Sequence, residues 1–150
     1  MKVVIVDDEP IARRILREEI DLIPGVRVIG EAGNGKEALL KIRKLQPNLV
    51  FLDLQMPVMS GLEVARSLVG PTVPVIVIVT AFDLHAVEAF EGSEFDYLLK
   101  PVSETQLRTA LERARQLLET PSEIVARAER IASVDETRIF REKTPLLETA

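Results

Sequence analysis

The chain has 150 residues, a formal net charge of −5, no cysteine, and 47% hydrophobic residues. That length fits one domain, or one domain with an extension, and the hydrophobic share is enough for a sizeable core. The acidic balance argues against nonspecific attraction to nucleic acid or membrane surfaces, and the absence of cysteine excludes disulfides and thiol chemistry.

The chain opens on an apolar run, not on a basic leader with an apolar core. No apolar run approaches the roughly 20 residues of a spanning helix. A cytoplasmic protein without membrane contact is expected. Residues 2–6 read as the first strand, followed at once by Asp7-Asp8-Glu9-Pro10. Pro10 suits a first helical turn that Asp8 or Glu9 would cap. Ala12, Ile15, Leu16, Ile20 and Ile23 make that helix's apolar stripe, and Pro24-Gly25 ends it. The second strand is expected over 26–31. Asn34-Gly-Lys-Glu37 is a capping signature for a helix carrying Ala38, Leu39, Ile42 and Leu45 inward.

Leu49-Val-Phe-Leu-Asp53 is a continuous apolar run ending in one carboxylate. Such a run, bounded by turn residues, reads as a strand buried on both faces. Ser60-Gly-Leu-Glu63 caps a short third helix expected to stop near Gly70-Pro71. The fourth strand is expected over 74–79, followed by Thr80-Ala81, and a weaker helix over 84–90. Residues 95–99 give a fifth strand followed by Lys100-Pro101. Ser103-Glu-Thr-Gln106 caps the next helix, with a stripe of Leu107, Ala110, Leu111, Ala114, Leu117 and Leu118. Strands alternating with helices imply a doubly wound α/β fold with a five-stranded parallel sheet and right-handed crossovers. Thr120-Pro-Ser-Glu123 restarts a helix with a stripe of Ile124, Ala128, Ile131 and Ala132; after 133 the periodicity fades, as in a linker or tail.

In open parallel sheets, ligands bind at the carboxyl ends of the strands. If these strands lie side by side, Asp7, Asp8, Thr80 and Lys100 converge on Asp53. The acids form a hard oxygen site for Mg²⁺. The hydroxyl and ammonium suit phosphoryl oxygens, and Asp53 is a plausible nucleophile for an aspartyl phosphate.

These motifs, in this order, resemble the receiver domains of two-component response regulators: Asp7-Asp8, Asp53 with Met56-Pro57 and Gly61 behind it, Thr80, and Lys100-Pro101. The resemblance covers residues 1–119. The stretch from Thr80 to Phe90, followed by Asp96-Tyr-Leu-Leu-Lys-Pro-Val102, is most similar to the LytR/AlgR-type branch. The resemblance implies a flavodoxin-like (βα)5 fold with strand order 2-1-3-4-5, and a helical extension or tail at 120–150 too short for an output domain. It implies a signalling phosphoacceptor, not an enzyme, with Asp53 taking a phosphoryl group from a sensor histidine kinase. Asp8 and Asp53 would ligate Mg²⁺ (Mn²⁺ substituting), with Asp7 bound directly or through water and the Gln55 backbone carbonyl completing the set. A cis Lys100-Pro101 bond would aim the ammonium inward. Tyr97 would be the switch aromatic following Thr80, and Gln55 and Phe82 would tune the phosphoryl lifetime. The switched surface would comprise the helix at 84–90, the fifth strand and the helix after Ser103. Acids at Glu88, Glu91, Glu94 and Asp96 and bases at Arg108, Arg113 and Arg115 would support a phosphorylation-dependent homodimer there. No direct nucleic-acid binding is expected of this chain.

Simpler readings exist for each residue. Asp7 and Asp8 could merely cap a helix, but one acid suffices for that. Thr80 could be a turn residue, Lys100 a solvated lysine and Tyr97 a half-exposed strand aromatic. His85 is assigned a helix surface and no chemistry. Two rival functions fail on particular residues. A hydrolase of the haloacid-dehalogenase type needs a second acid two positions after the nucleophile, where Gln55 stands. A flavin or nucleotide binder needs a Gly- or Ser/Thr-rich loop after the first strand, where Asp7-Asp8-Glu9-Pro10 would repel phosphate. The remaining alternatives are a regulator acting alone by protein contact and a piece of a longer DNA-binding regulator.

Overall fold

A computed structural model of the chain describes residues 1–68, 73–81 and 96–119. The strands are β1 (Lys2–Val6), β2 (Arg27–Ala32), β3 (Leu49–Asp53), β4 (Val75–Thr80) and β5 (Asp96–Leu99). They form one sheet in the order β2-β1-β3-β4-β5, every pair parallel. The described helices are α1 (Pro10–Asp21), α2 (Gly35–Leu45), α3 (Gly61–Ser67) and α4 (Glu104–Leu118). This is the flavodoxin-like order that the family resemblance implies. The helix expected over 84–90, Phe82, His85, Glu88, Glu91, Glu94, Phe95, Gly70-Pro71 and everything from Thr120 onward lie outside the described residues.

β3 and β4 are buried along their whole length because helices cover both faces. Successive side chains point to opposite faces, so each strand feeds two cores. Val4, Val6, Val50, Leu52, Ile76 and Ile78 pack with Ala38 and Ile42 of α2 and Leu62 and Val64 of α3. Val3, Ile5, Leu49, Phe51, Val75 and Val77 pack with Leu16 and Ile20 of α1 and Leu107 and Leu111 of α4. At the lower edge Asn48 stitches three strands: its side chain accepts from the Lys2 amide (2.7 Å), its amide donates to the Lys2 carbonyl, and its own carbonyl accepts from Val75.

Three helices start on side-chain caps. Asn34 accepts from the Glu37 amide (2.9 Å), Ser60 from Glu63 (3.2 Å) and Ser103 from Gln106 (3.1 Å). Several expectations need correction. β2 and β4 each sit one residue later than expected, so Thr80 ends β4 instead of following it. α3 stops before Gly70-Pro71, because Leu68 is already extended at ψ 115°. Glu9 occupies the α1 cap position but its side chain makes no cap bond. Ile15 is 56% exposed and lies off the buried stripe, and Leu118 also faces solvent. Separately from these corrections, Arg108, Arg113 and Arg115, the bases of the expected dimer contact, pair within the chain with Glu104 (3.0 Å), Asp96 (2.8 Å) and Glu112 (2.5 Å).

Candidate functional site

The carboxyl ends of β1, β3 and β5 bring the acidic and basic residues together. One carboxylate oxygen from each of Asp7, Asp8, Glu9 and Asp53 lies within 4.8 Å of the others. Asp7 and Asp53 are buried, Asp8 is half-buried and Glu9 is exposed. The Lys100 ammonium sits among them, 2.7 Å from Asp7 Oδ2, 3.2 Å from Glu9 Oε1 and 3.3 Å from Asp53 Oδ2. It reaches there from the end of β5, whose Lys100–Pro101 peptide is cis and whose Lys100 amide donates to the Thr80 carbonyl (2.9 Å).

The backbone fixes the two buried carboxylates. Asp53 Oδ1 accepts from the Gln55 amide (3.1 Å), and Asp7 Oδ1 accepts from the Glu9 amide (2.9 Å). Glu9 therefore turns its side chain to Lys100 instead of capping α1. Behind Asp53, the Gly61 amide donates to the Leu54 carbonyl (3.1 Å), and a Cβ on Gly61 would collide with the Asp53 carbonyl. Only glycine permits that approach. The connecting loop carries Val58 at φ 69°, with the Met59 amide donating back to the Pro57 carbonyl (2.8 Å). That three-residue turn is a strained one for a β-branched residue.

The electrostatics follow from burial and count. Burial pushes the Asp53 carboxyl up to about 6, helped by the Asp7 charge and opposed by the Gln55 amide and the Lys100 ammonium. Burial would lower the Lys100 pKa, but its hydrogen bond to Asp7 and the charges of Asp53 and Asp7 outweigh burial and raise it. One ammonium thus pairs with three carboxylates of a cluster of four. An all-oxygen donor set short of positive charge fits a hard divalent cation, and Asp7, Asp8 and Asp53 supply that set.

The other sequence-derived candidates lie around this cluster. Thr80 is buried at the end of β4. Tyr97 is half-buried on β5, in register with Ile78, and packs on the core beneath α2 and α3. Gln55 is half-buried beside Asp53. Two participants escaped the sequence reading. Glu9 touches Lys100, a role for which its place in an acidic triplet was the only signal. Arg13, whose Nη1 donates to the Asp7 carbonyl (2.5 Å), carried no signal at all.

Residues 3–112 match the response regulator receiver domain family. The chain belongs to that family. Receivers serve two-component signalling as phosphoacceptors, not as classical enzymes, and bind Mg²⁺ in an acidic pocket of this kind. The chain is 47% identical over 116 residues to the transcriptional regulatory protein BtsR of Escherichia coli K12, covering 77% of this chain and 48% of that protein. It thus spans about half the length of the curated relatives it matches. Among solved structures it resembles the response regulatory domain of mrkE from Klebsiella pneumoniae, with TM-score 0.68 and 33% identity, covering 79% of this chain and 98% of that one. It also resembles the isolated receiver domain of RcsB from Salmonella enterica serovar Typhimurium, solved in the presence of the phosphomimetic BeF3-, with TM-score 0.68 and 25% identity, covering 77% of this chain and 88% of that one.

Proposed function

We propose that Asp53 accepts a phosphoryl group from the phosphohistidine of a sensor kinase, and that residues 1–119 are the receiver that carries it. The observation behind this reading is the buried Asp53 carboxylate at a strand end, held 3.3 Å from the Lys100 ammonium beside a second buried acid. Asp53 forms the new bond to phosphorus as the donor's phosphorus–nitrogen bond breaks and the imidazole leaves with the electron pair. Asp7, Asp8 and Asp53, with the Gln55 carbonyl, would hold Mg²⁺, or Mn²⁺ in its place. The metal supplies charge neutralisation between the attacking carboxylate and the phosphoryl oxygens. Lys100 then pairs with a phosphoryl oxygen, and the Thr80 hydroxyl donates to another. The donor docks on the apolar groove of about 500 Å³ that opens onto Asp7 and Lys100, lined by Ile11, Ile15, Pro101 and Val102.

Thr80 moving toward the phosphoryl group lets Tyr97 change rotamer. This biases the surface built from residues 84–90, β5 and α4 toward a homodimer. The intramolecular pairs of Arg108, Arg113 and Arg115 must loosen for those arginines to serve that contact. Exposed pairs of this kind are individually weak, so their exchange is inexpensive. Gln55 and Phe82, two positions after Asp53 and Thr80 in the chain, set the phosphoryl lifetime. Residues 120–150 form a linker to an output module of a LytR/AlgR-type transcriptional regulator. That fragment reading is favoured over a stand-alone regulator by the half-length match to BtsR. The protein acts in the cytoplasm, facing the kinase's cytoplasmic domain.

Mass spectrometry after incubation with acetyl phosphate and Mg²⁺ tests the proposal. One added phosphoryl group is expected, absent in Asp53→Asn. An adduct of equal yield in that variant refutes the assignment.

A further inference from the structure

Asp7 is tied to the sheet on one side only. Its amide donates to the Ala32 carbonyl (3.0 Å), the last bond that β2 offers to β1. Its carbonyl comes after β2 has ended and finds no strand partner among the described residues. Arg13 fills that vacancy from the first turns of α1, donating from Nη1 to the Asp7 carbonyl at 2.5 Å. The guanidinium is itself seated. Its Nε lies 3.7 Å from Glu31 Oε1, with side-chain exposures of only 20% and 25%. Its Nη1 lies over Gly33, where an added Cβ would come within 3.1 Å. Glu31 also pairs with Arg17, and its carbonyl accepts from Lys41. The seat is therefore anchored to α1, β2 and α2.

We propose that Arg13 is a positioning residue: it takes the place of the missing strand bond at Asp7 and so sets the turn that aims the Asp7 and Asp8 carboxylates at Asp53. Its hydrogen bond goes to a backbone oxygen, not to the carboxylates that would bind the cation. This inference rests on the reading of the pocket as a cation and phosphoryl site.

The sign of the effect separates positioning from simple charge. Removing a positive charge near an acidic cluster should tighten cation binding, because the remaining field is more negative. Losing a positioning contact should weaken it, by about tenfold for an outer residue of this type. Two measurements on the whole chain decide the matter. In EDTA, hydrogen exchange of the Glu9 amide, which bonds Asp7 Oδ1, is expected to speed up about tenfold in Arg13→Ala, on the scale of a lost outer contact, while core amides of β1 stay protected. In Mg²⁺ titrations, Arg13→Ala is expected to bind more weakly. Gly33→Ala, which crowds the guanidinium but keeps its charge, should shift both readouts in the same direction by less. It also keeps the test alive if Arg13→Ala does not fold. Unchanged Glu9 exchange, or tighter Mg²⁺ binding in Arg13→Ala, overturns the role of Arg13. Failure of the unaltered chain to bind Mg²⁺ overturns the cation reading instead, and the exchange experiment still decides on Arg13.

Discussion

Replacing Asp53 with asparagine should stabilise the metal-free protein. Asp53 is 3% exposed and its carboxyl is pushed up to about 6, mainly by burial. Relative to an ordinary aspartate near 4, that displacement corresponds to about 3 kcal/mol against the ionised form. The attraction to Lys100 is already contained in this figure, since it partly opposes the rise. Asparagine has nearly the same shape and no charge, but its amide has its own desolvation cost of about 1–2 kcal/mol. A net gain of about 1–2 kcal/mol at neutral pH remains. The pH dependence has a definite sign. With the folded pKa raised, the folded state holds more protons than the unfolded state between about pH 4 and 6. The native protein therefore loses stability as pH rises through that window, and the variant does not. The variant's advantage should vanish and turn into a slight deficit near pH 4, grow up to about pH 6 and stay level above. Urea melts in EDTA across this range measure it directly. Mg²⁺ should then stabilise the native chain more than the variant, by linkage. Equal midpoints in EDTA at neutral pH, or a gap that does not shrink toward pH 4, would refute the picture of an under-compensated buried carboxylate.

Three further substitutions probe the site and its frame. Lys100→Ala leaves Asp7 and Asp53 buried without their shared cation and should cost about 3 kcal/mol in EDTA by urea melting, with partial recovery in Mg²⁺; no loss would mean the ammonium is not their counter-charge. Gly61→Ala forces the Asp53 carbonyl away and should cost about 2 kcal/mol in thermal melts while slowing acetyl phosphate labelling; full labelling at native rate would show that the loop yields freely. Gln46→Gly relieves a left-handed residue at the end of α2 (φ 47°) and should stabilise by about 0.5–1 kcal/mol; a drop in Tm would contradict that backbone.

The sheet was legible because strands buried on both faces read as unbroken apolar runs. Leu49–Asp53 and Val75–Thr80 are such strands, and polar residues at their ends mark where the site forms. The three caps at Asn34, Ser60 and Ser103 were legible because capping uses local spacing alone. What depends on tertiary geometry was not. Ile15 sits at a helical period that suits the core, yet α1 tilts it to the rim of the groove beside Lys100. Gln46 takes a conformation for which glycine is the usual signal. Arg13 has no motif around it, because its partners are a backbone carbonyl and a residue of β2. Arg113 looked available to a partner because Asp96 is 17 positions away along the chain, although it is 2.8 Å away in space.

On the proposed reading, the pocket's charge balance lets a single lysine serve two states. Without a divalent ion, Lys100 is the counter-charge that keeps Asp7 and Asp53 from repelling each other openly, and its hydrogen bond to Asp7 and the charges of both acids hold its pKa above the ordinary lysine value. On the proposed reading, a cation bound by the acids takes over that duty. Lys100 is then released from Asp7 and free to meet the incoming phosphoryl oxygens. The same contact that stabilises the resting pocket must therefore weaken for the chemistry to proceed. On that reading Glu9, exposed and 3.2 Å from the Lys100 ammonium, would make the exchange gradual by keeping the ammonium at the rim while the buried oxygens change partners. A lysine anchored only by buried acids would have no such intermediate position. On that reading the acidic triplet after β1 would supply two buried or half-buried carboxylates for the cation and one exposed carboxylate for the ammonium.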